Sequence, residues 1–173
     1  DRQILVQLLQ LLEFWFRSGL TCVKWGDCFL AFYSQARGIR QGGVLSPYLF
    51  ALYIDSVIEK VRRSRVGCEI KLESVGIIVY ADDILLVAPT VTALQLLLKM
   101  CENELNWLAM SINASKSACL RISKDYKKKK PVCIRTIDGR EIPWQDNVRY
   151  LGMHLVANNV FTCSFDNAKK SYY

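Results

Sequence analysis

Apolar residues open the chain at helical spacing. Ile4, Leu5, Leu8, Leu9, Leu12, Trp15 and Phe16 recur on one side, which predicts a helix over about 2–16 that stops near Ser18-Gly19. Residues 21–25 and 28–34 are rich in aromatic and β-branched side chains, and Gly26-Asp27 between them reads as a hairpin turn. A second helix start follows a cationic, glycine-bearing stretch. Ser46 is a natural N-cap and Pro47 sits at the first helical position, where its missing N–H leaves nothing unsatisfied. Leu49, Phe50, Tyr53, Ile54, Val57, Ile58 and Val61 then line one face, while Lys60, Arg62 and Arg63 crowd the end where the helix dipole is negative.

Residues 75–80 and 84–88 predict two short apolar strands around Ala81-Asp82-Asp83. A third helix, over about 91–109, carries Leu94, Leu97, Leu98, Cys101, Leu105 and Leu108 on one side. Strands follow at 118–122, 132–137, 140–142 and 148–156, with Asp138-Gly139 as the turn between the second and third. The order of elements is α+β, helices packed on an antiparallel sheet.

Composition narrows the class. The 173 residues are 51% hydrophobic, enough for a buried core. Lys and Arg number 23 against 16 acidic residues, a net charge of +7 that suits a polyanionic partner or a simple basic domain. No apolar run reaches the length a membrane span needs, so no membrane association is expected. Seven dispersed cysteines lack zinc-site spacing and are odd in number. They are expected to be small, buried, reduced thiols without disulfide partners, in an intracellular, reducing compartment, nucleus or cytoplasm left open. His154 is the single histidine, which leaves no imidazole pair for a metal.

The chemistry concentrates in Tyr80-Ala81-Asp82-Asp83. Adjacent acids between two apolar strands repel each other, and burying either one unpaired is unfavourable. A tight turn that exposes them to a cleft relieves part of this, and a divalent cation relieves the rest. Hard oxygen ligands without histidine or thiolate suit Mg2+. Consecutive strand residues face opposite sides, so Asp82 ranks above Asp83. An ordinary solvent-facing hairpin turn accounts for the same four residues. Upstream, Arg40 offers a fork for phosphate, Gln41 a donor, and Gly42-Gly43 allow backbone to approach a ligand, all before a helix N-terminus that favours anions. A plain loop before a capped helix fits that segment as well.

Together the segments resemble a known family. Gly38-Ile39-Arg40-Gln41-Gly42-Gly43-Val44-Leu45-Ser46-Pro47-Tyr48-Leu49-Phe50 and Tyr80-Ala81-Asp82-Asp83-Ile84-Leu85-Leu86-Val87-Ala88 look like motifs B and C of reverse transcriptases, worded most like LINE-type (non-LTR retrotransposon) enzymes. Ser111-Ile112-Asn113-Ala114-Ser115-Lys116-Ser117 resembles motif D, and Tyr150-Leu151-Gly152-Met153 the primer-grip motif E. The resemblance implies a partial right-hand polymerase palm on a ferredoxin-like sheet, fingers and thumb largely missing. Residues 1–146 would be the palm, and 147–173 the primer-grip hairpin with the beginning of the thumb.

It further implies that Asp82 and Asp83 are catalytic and hold two Mg2+ ions in the intact parent enzyme. Arg40, Gln41, Gly42, Tyr80, Ala81 and Lys116 would contact nucleotide or template, and Leu151 and Gly152 the primer end. The implied partners are an RNA template, a DNA primer and deoxynucleotides. Lys116 reads equally as a surface lysine, and Lys127–Lys130 as a solvated charge run. The upstream aspartate of motif A does not occur in these residues, so the polypeptide as it stands is expected to be inactive. Two alternatives stay open: a non-catalytic retroelement-derived remnant that only binds nucleic acid, and a group II intron maturase-type enzyme. A viral RNA-dependent RNA polymerase fits less well, because Ala81 stands where such enzymes usually carry glycine.

Overall fold

The computed structural model describes residues 4–34, 42–124 and 132–165, and the chain divides into two compact units, residues 1–46 and 47–173. In the first unit, helix α1 (Val6–Ser18) runs two residues past the expected end, while the expected start near residue 2 lies outside the described residues. Leu5 precedes it with non-helical backbone angles, φ -57° and ψ 128°, and offers no side-chain cap. None of the α1 side chains is buried.

A bulged hairpin follows. Strands β1 (Leu20–Thr21), β2 (Lys24–Trp25), β3 (Cys28–Phe29) and β4 (Tyr33–Ser34) pair β2 with β3 and β1 with β4, all antiparallel. The Gly26-Asp27 turn is as expected, with Gly26 at φ +60°. Trp25 faces Cys28 but Thr21 faces Tyr33, so the second arm carries one extra residue, the signature of a β-bulge. Lys24 lies over the ring of its cross-strand partner Phe29 at 5.3 Å.

The second unit is organised by two helices. Helix α2 (Ser46–Ser64) begins where Ser46-Pro47 predicted and buries Ile54, Val57 and Val61. Tyr53 departs from the expected apolar face: it is half exposed and docks through its hydroxyl, which donates to the Leu108 carbonyl at 2.6 Å. Helix α3 (Val91–Trp107) is capped by Thr90, whose side chain accepts the Ala93 N–H. Its end is a Schellman motif: Met110 N–H donates to Leu105 O at 2.8 Å and Ala109 N–H to Asn106 O at 3.0 Å. The left-handed position falls on Ala109, φ +55°, rather than on glycine. Lys60 and Glu104 join the helices at 3.2 Å.

The remaining strands pair locally. They are β5 (Glu69–Ile70), β6 (Glu73–Ser74), β7 (Ile77–Tyr80), β8 (Asp83–Leu86), β9 (Ile134–Arg135), β10 (Glu141–Ile142), β11 (Asn147–Tyr150), β12 (Met153–Val156) and β13 (Thr162–Ser164). Among the described residues no sheet is wider than the three strands β11–β12–β13. The expected strand over 118–122 is reduced to one bridge. Cys119 donates to Pro143 O and accepts from Gln145 N, both at 2.8 Å, and its neighbours find no ladder partner. The expected strand over 148–156 is a hairpin instead, because Leu151 (φ +48°) and Gly152 (φ +80°) reverse the chain.

Two apolar clusters share α3. One joins Leu97, Cys101, Leu105 and Leu108 to the buried face of α2 and to Ile77, with Val79, Ile84 and Leu86 packed against it. The other gathers Leu98, Ala114, Cys119, Ile134 and Ile142. α3 also clamps the β9–β10 hairpin through polar side chains. Gln95 accepts from Arg135 N at 2.8 Å and donates to Arg135 O at 2.7 Å, mimicking a neighbouring strand. Glu102, only 7% exposed, accepts the Ile137 N–H at 2.9 Å. Burial raises its carboxyl pKa above the ordinary value, and that hydrogen bond opposes the shift. Of the seven thiols, Cys101 and Cys119 are buried, whereas Cys28 and Cys133 are exposed, so the expectation of buried thiols holds for only part of the set.

Candidate functional site

Strands β7 and β8 form a hairpin whose register, Ile77 opposite Leu86 and Tyr80 opposite Asp83, leaves Ala81-Asp82 as a two-residue turn. Such turns need positive φ, which Ala81 takes at +50°. Alternation then sorts the side chains. Ile77, Val79, Ile84 and Leu86 pack toward the helices, so Ile78, Tyr80, Asp83 and Leu85 share the opposite face. Tyr80, Asp82 and Asp83 are all exposed. The observed turn is one residue shorter than the expected Ala81-Asp82-Asp83, since Asp83 opens β8 while Asp82 stands at the tip.

The hairpin is anchored at its base. Val87 N–H donates to Gly76 O at 2.9 Å, Cys68 N–H to Val87 O at 3.1 Å, and Val75 N–H to Cys68 O at 2.8 Å. Gly67 and Gly76 meet back to back: a Cβ on Gly67 would fall 2.3 Å from the Gly76 Cα. Only two hydrogen side groups fit there, and this fixes the hairpin on the body of the unit.

The other predicted residues lie as follows. Arg40 and Gln41 are outside the described residues, as are Lys127–Lys130 and the segment read as the start of a thumb. Gly42 belongs to the first unit; it is exposed, with φ +78° and none of the described residues within 4 Å of where a Cβ would stand. Lys116 is exposed at the end of a 3-10 turn over Ala114–Lys116, which Asn113 caps by accepting its N–H. Leu151 and Gly152 form the tip of the β11–β12 hairpin.

One residue was given no role of its own by the motifs. Tyr150, at the end of β11, holds a buried hydroxyl with no hydrogen-bond partner among the described residues. Burial and, after it, the negative charge of Asp83 raise its pKa. The charge of Asp83 is thus felt at a hairpin remote from it in sequence. No local pattern announces this, because the two residues are far apart in sequence.

Chemically, the tip offers two exposed carboxylates, hard oxygen donors that fit one side of a Mg2+ ion completed by water and phosphate. Among the described residues no third His, Cys, Asp or Glu joins them to make a self-sufficient metal cluster.

Comparison with known proteins bears directly on these segments. The family described as reverse transcriptase (RNA-dependent DNA polymerase) matches residues 6–155. The retrovirus-related Pol polyprotein of the type-2 retrotransposable element R2DM from Drosophila melanogaster is 30% identical over 135 residues, 75% of this chain and 13% of that polyprotein. The corresponding polyprotein of the type-1 element R2 from Nasonia vitripennis is 30% identical over 68% of this chain, and that from Popillia japonica 31% over 67%. This chain spans only 12% and 17% of those two relatives' lengths. With the family match running from α1 through the β11–β12 hairpin and R2 polyproteins among its relatives, the chain belongs to the reverse transcriptase family, on the non-LTR retrotransposon side to which its motifs point.

Proposed function

We propose that this chain is the part of a non-LTR retrotransposon's RNA-directed DNA polymerase that presents carboxylates to the incoming nucleotide and steadies the primer end. In this reading residues 1–146 belong to a palm of ferredoxin-like plan, and 147–173 to the primer-grip hairpin and the beginning of the thumb. The observation that carries it is the β7–β8 hairpin, which holds Asp82 and Asp83 in the open at the end of a firmly packed strand pair, inside a segment matched by the family.

Each residue then has a task. Asp82 at the tip and Asp83 beside it would hold Mg2+, whose bound form supplies charge neutralisation at the attacking and leaving oxygens of an in-line displacement. Tyr80 shares the face of Asp83 and, with Ala81, would border the primer terminus and the nucleotide's sugar. Arg40, Gln41 and Gly42 would contact nucleotide or template, and Lys116 the phosphates. Leu151 and Gly152 would hold the primer end. Two ions roughly 3.5–4 Å apart need more oxygen ligands than one pair of acids supplies. The reading therefore takes a further carboxylate from outside these residues.

RNA template, DNA primer and deoxynucleotides are the proposed partners, and the net charge of +7 suits them. No helix among the described residues is long and apolar enough to cross a membrane. The seven free thiols suit a reducing interior.

The deciding experiment is Asp82→Asn in the polymerase that contains this chain, read as nucleotide incorporation on a primed RNA template. Asp82 is exposed at a turn, so the fold should stand while kcat falls by about a hundredfold or more. Undiminished incorporation would remove Asp82 from the chemistry.

A further inference from the structure

Helix α3 holds strand β9 as a neighbouring strand would, and none of the roles set out above uses that contact. The Gln95 carboxamide accepts the Arg135 N–H at 2.8 Å and donates to the Arg135 carbonyl at 2.7 Å, across 40 residues of sequence. Both backbone polar groups of one strand residue are taken by one side chain, which fixes the position of β9 along the helix as well as its distance from it. The strand carries Ile134, only 1% exposed, and pairs it with Ile142 of β10. These two isoleucines and Leu98 of α3 share a buried cluster with Ala114. Ala114 opens the 3-10 turn that ends in Lys116, and β10 lies against that turn.

Ala114 is the one buried side chain of the turn, so it pins the turn to the β9–β10 hairpin. Another flank of α3, with Leu97, Cys101 and Leu105, packs with Ile77 of the acid-bearing hairpin. The same helix therefore seats both Asp82-Asp83 and Lys116. We infer that Gln95 is a positioning residue for Lys116: by clamping β9 it sets where the Lys116 turn stands relative to the two carboxylates. The inference rests on the reading of Lys116 as a phosphate contact. A lysine meets phosphate as a point charge on a flexible stem, so the fold controls mainly where its backbone sits. A shift of about 1 Å in such a group can lower a rate by up to about a hundredfold.

The test uses the polymerase that contains this chain and single-nucleotide incorporation on a primed RNA template. Gln95→Leu removes the clamp at nearly constant size. It should lower kcat/KM for the nucleotide about three- to tenfold, with the Kd for the primed template unmoved. Lys116→Met removes the ammonium. In that background Gln95→Leu should lower kcat/KM no further, because Gln95 acts through Lys116. Gln95→Glu keeps an acceptor for the Arg135 N–H and should lose less, and it carries the same cycle if Gln95→Leu does not fold.

A loss of equal size with and without the Lys116 ammonium would overturn the inference, for the clamp would then serve only the stability of the hairpin. So would an unchanged kcat/KM in Gln95→Leu beside an impaired Lys116→Met, and in that case the phosphate reading of Lys116 stands by itself. An unchanged kcat/KM in Lys116→Met removes that reading, and the inference falls with it.

Discussion

Gly67→Ala is the substitution for which the structure gives the firmest magnitude. The added Cβ would lie 2.3 Å from the Gly76 Cα and 3.1 Å from both the Gly76 N and the Val87 O. Carbon atoms in contact settle at roughly 3.5 Å or more, so the two backbones must separate by about 1 Å. All three obstacles are backbone atoms, and no side chain can swing aside. The bonds that stitch this junction, at 3.1, 2.8 and 2.9 Å, would be carried past hydrogen-bonding range. Losing two of them removes about 2 kcal/mol, and overpacking adds at least about 1 kcal/mol. The expected destabilisation is about 3 kcal/mol, seen as a fall in Tm of about 6–12 °C and a lower urea midpoint by circular dichroism. Gly139→Ala is the control, because nothing lies within 4 Å of its Cβ and only the φ of +85° penalises it, by about 1 kcal/mol. A change below about 0.5 kcal/mol in Gly67→Ala would refute the claim that the two glycines hold the acid-bearing hairpin in place.

Three further outcomes are expected. Glu102 has a folded-state pKa above its unfolded value, so its contribution is intact at acid pH and declines as pH rises through the raised value. Glu102→Gln keeps an acceptor for Ile137 N–H and should raise Tm at pH 7 but not near pH 4; an equal gain at both would contradict the burial argument. Iodoacetamide should label Cys28 quickly in the native chain, whereas Cys101 and Cys119, whose thiols burial pushes up to about 12 and about 11, should react only on unfolding, as peptide mass mapping would reveal. Ala109→Gly relieves a left-handed alanine at the end of α3 and should stabilise by about 0.5–1 kcal/mol in urea titrations, unless that conformation is unstrained.

Much of the scaffold was legible before any coordinates. The Gly26-Asp27 and Asp138-Gly139 turns, the Ser46-Pro47 start of α2 and the apolar face of α3 all rest on signals that span a few residues. So does the placement of Asp82 at a hairpin tip, because two apolar runs must reverse where the acids interrupt them. The motif order likewise sufficed to name the family, which the match over residues 6–155 bears out.

Periodicity could not foresee where distant backbones meet. Residues 118–122 alternate like a strand, yet only Cys119 finds a bridging partner, in Trp144. Residues 148–156 read as one strand until Leu151 and Gly152 adopt positive φ. The contact between Gly67 and Gly76, the pairing of Gln95 with the Arg135 backbone, and the burial of Glu102 against Ile137 are invisible in any local window.

The sequence by itself determined the helices, the Gly26-Asp27 and Asp138-Gly139 turns, and which side chains could do chemistry, because sterics and side-chain period act within a few residues. Only the tertiary structure decided which of those groups share a face, lose their water or feel each other's charge. Glu102 meets the Ile137 N–H, and Gln95 the Arg135 backbone, because packed helices and hairpins bring distant parts of the chain together, and no residue's identity encodes that separation alone.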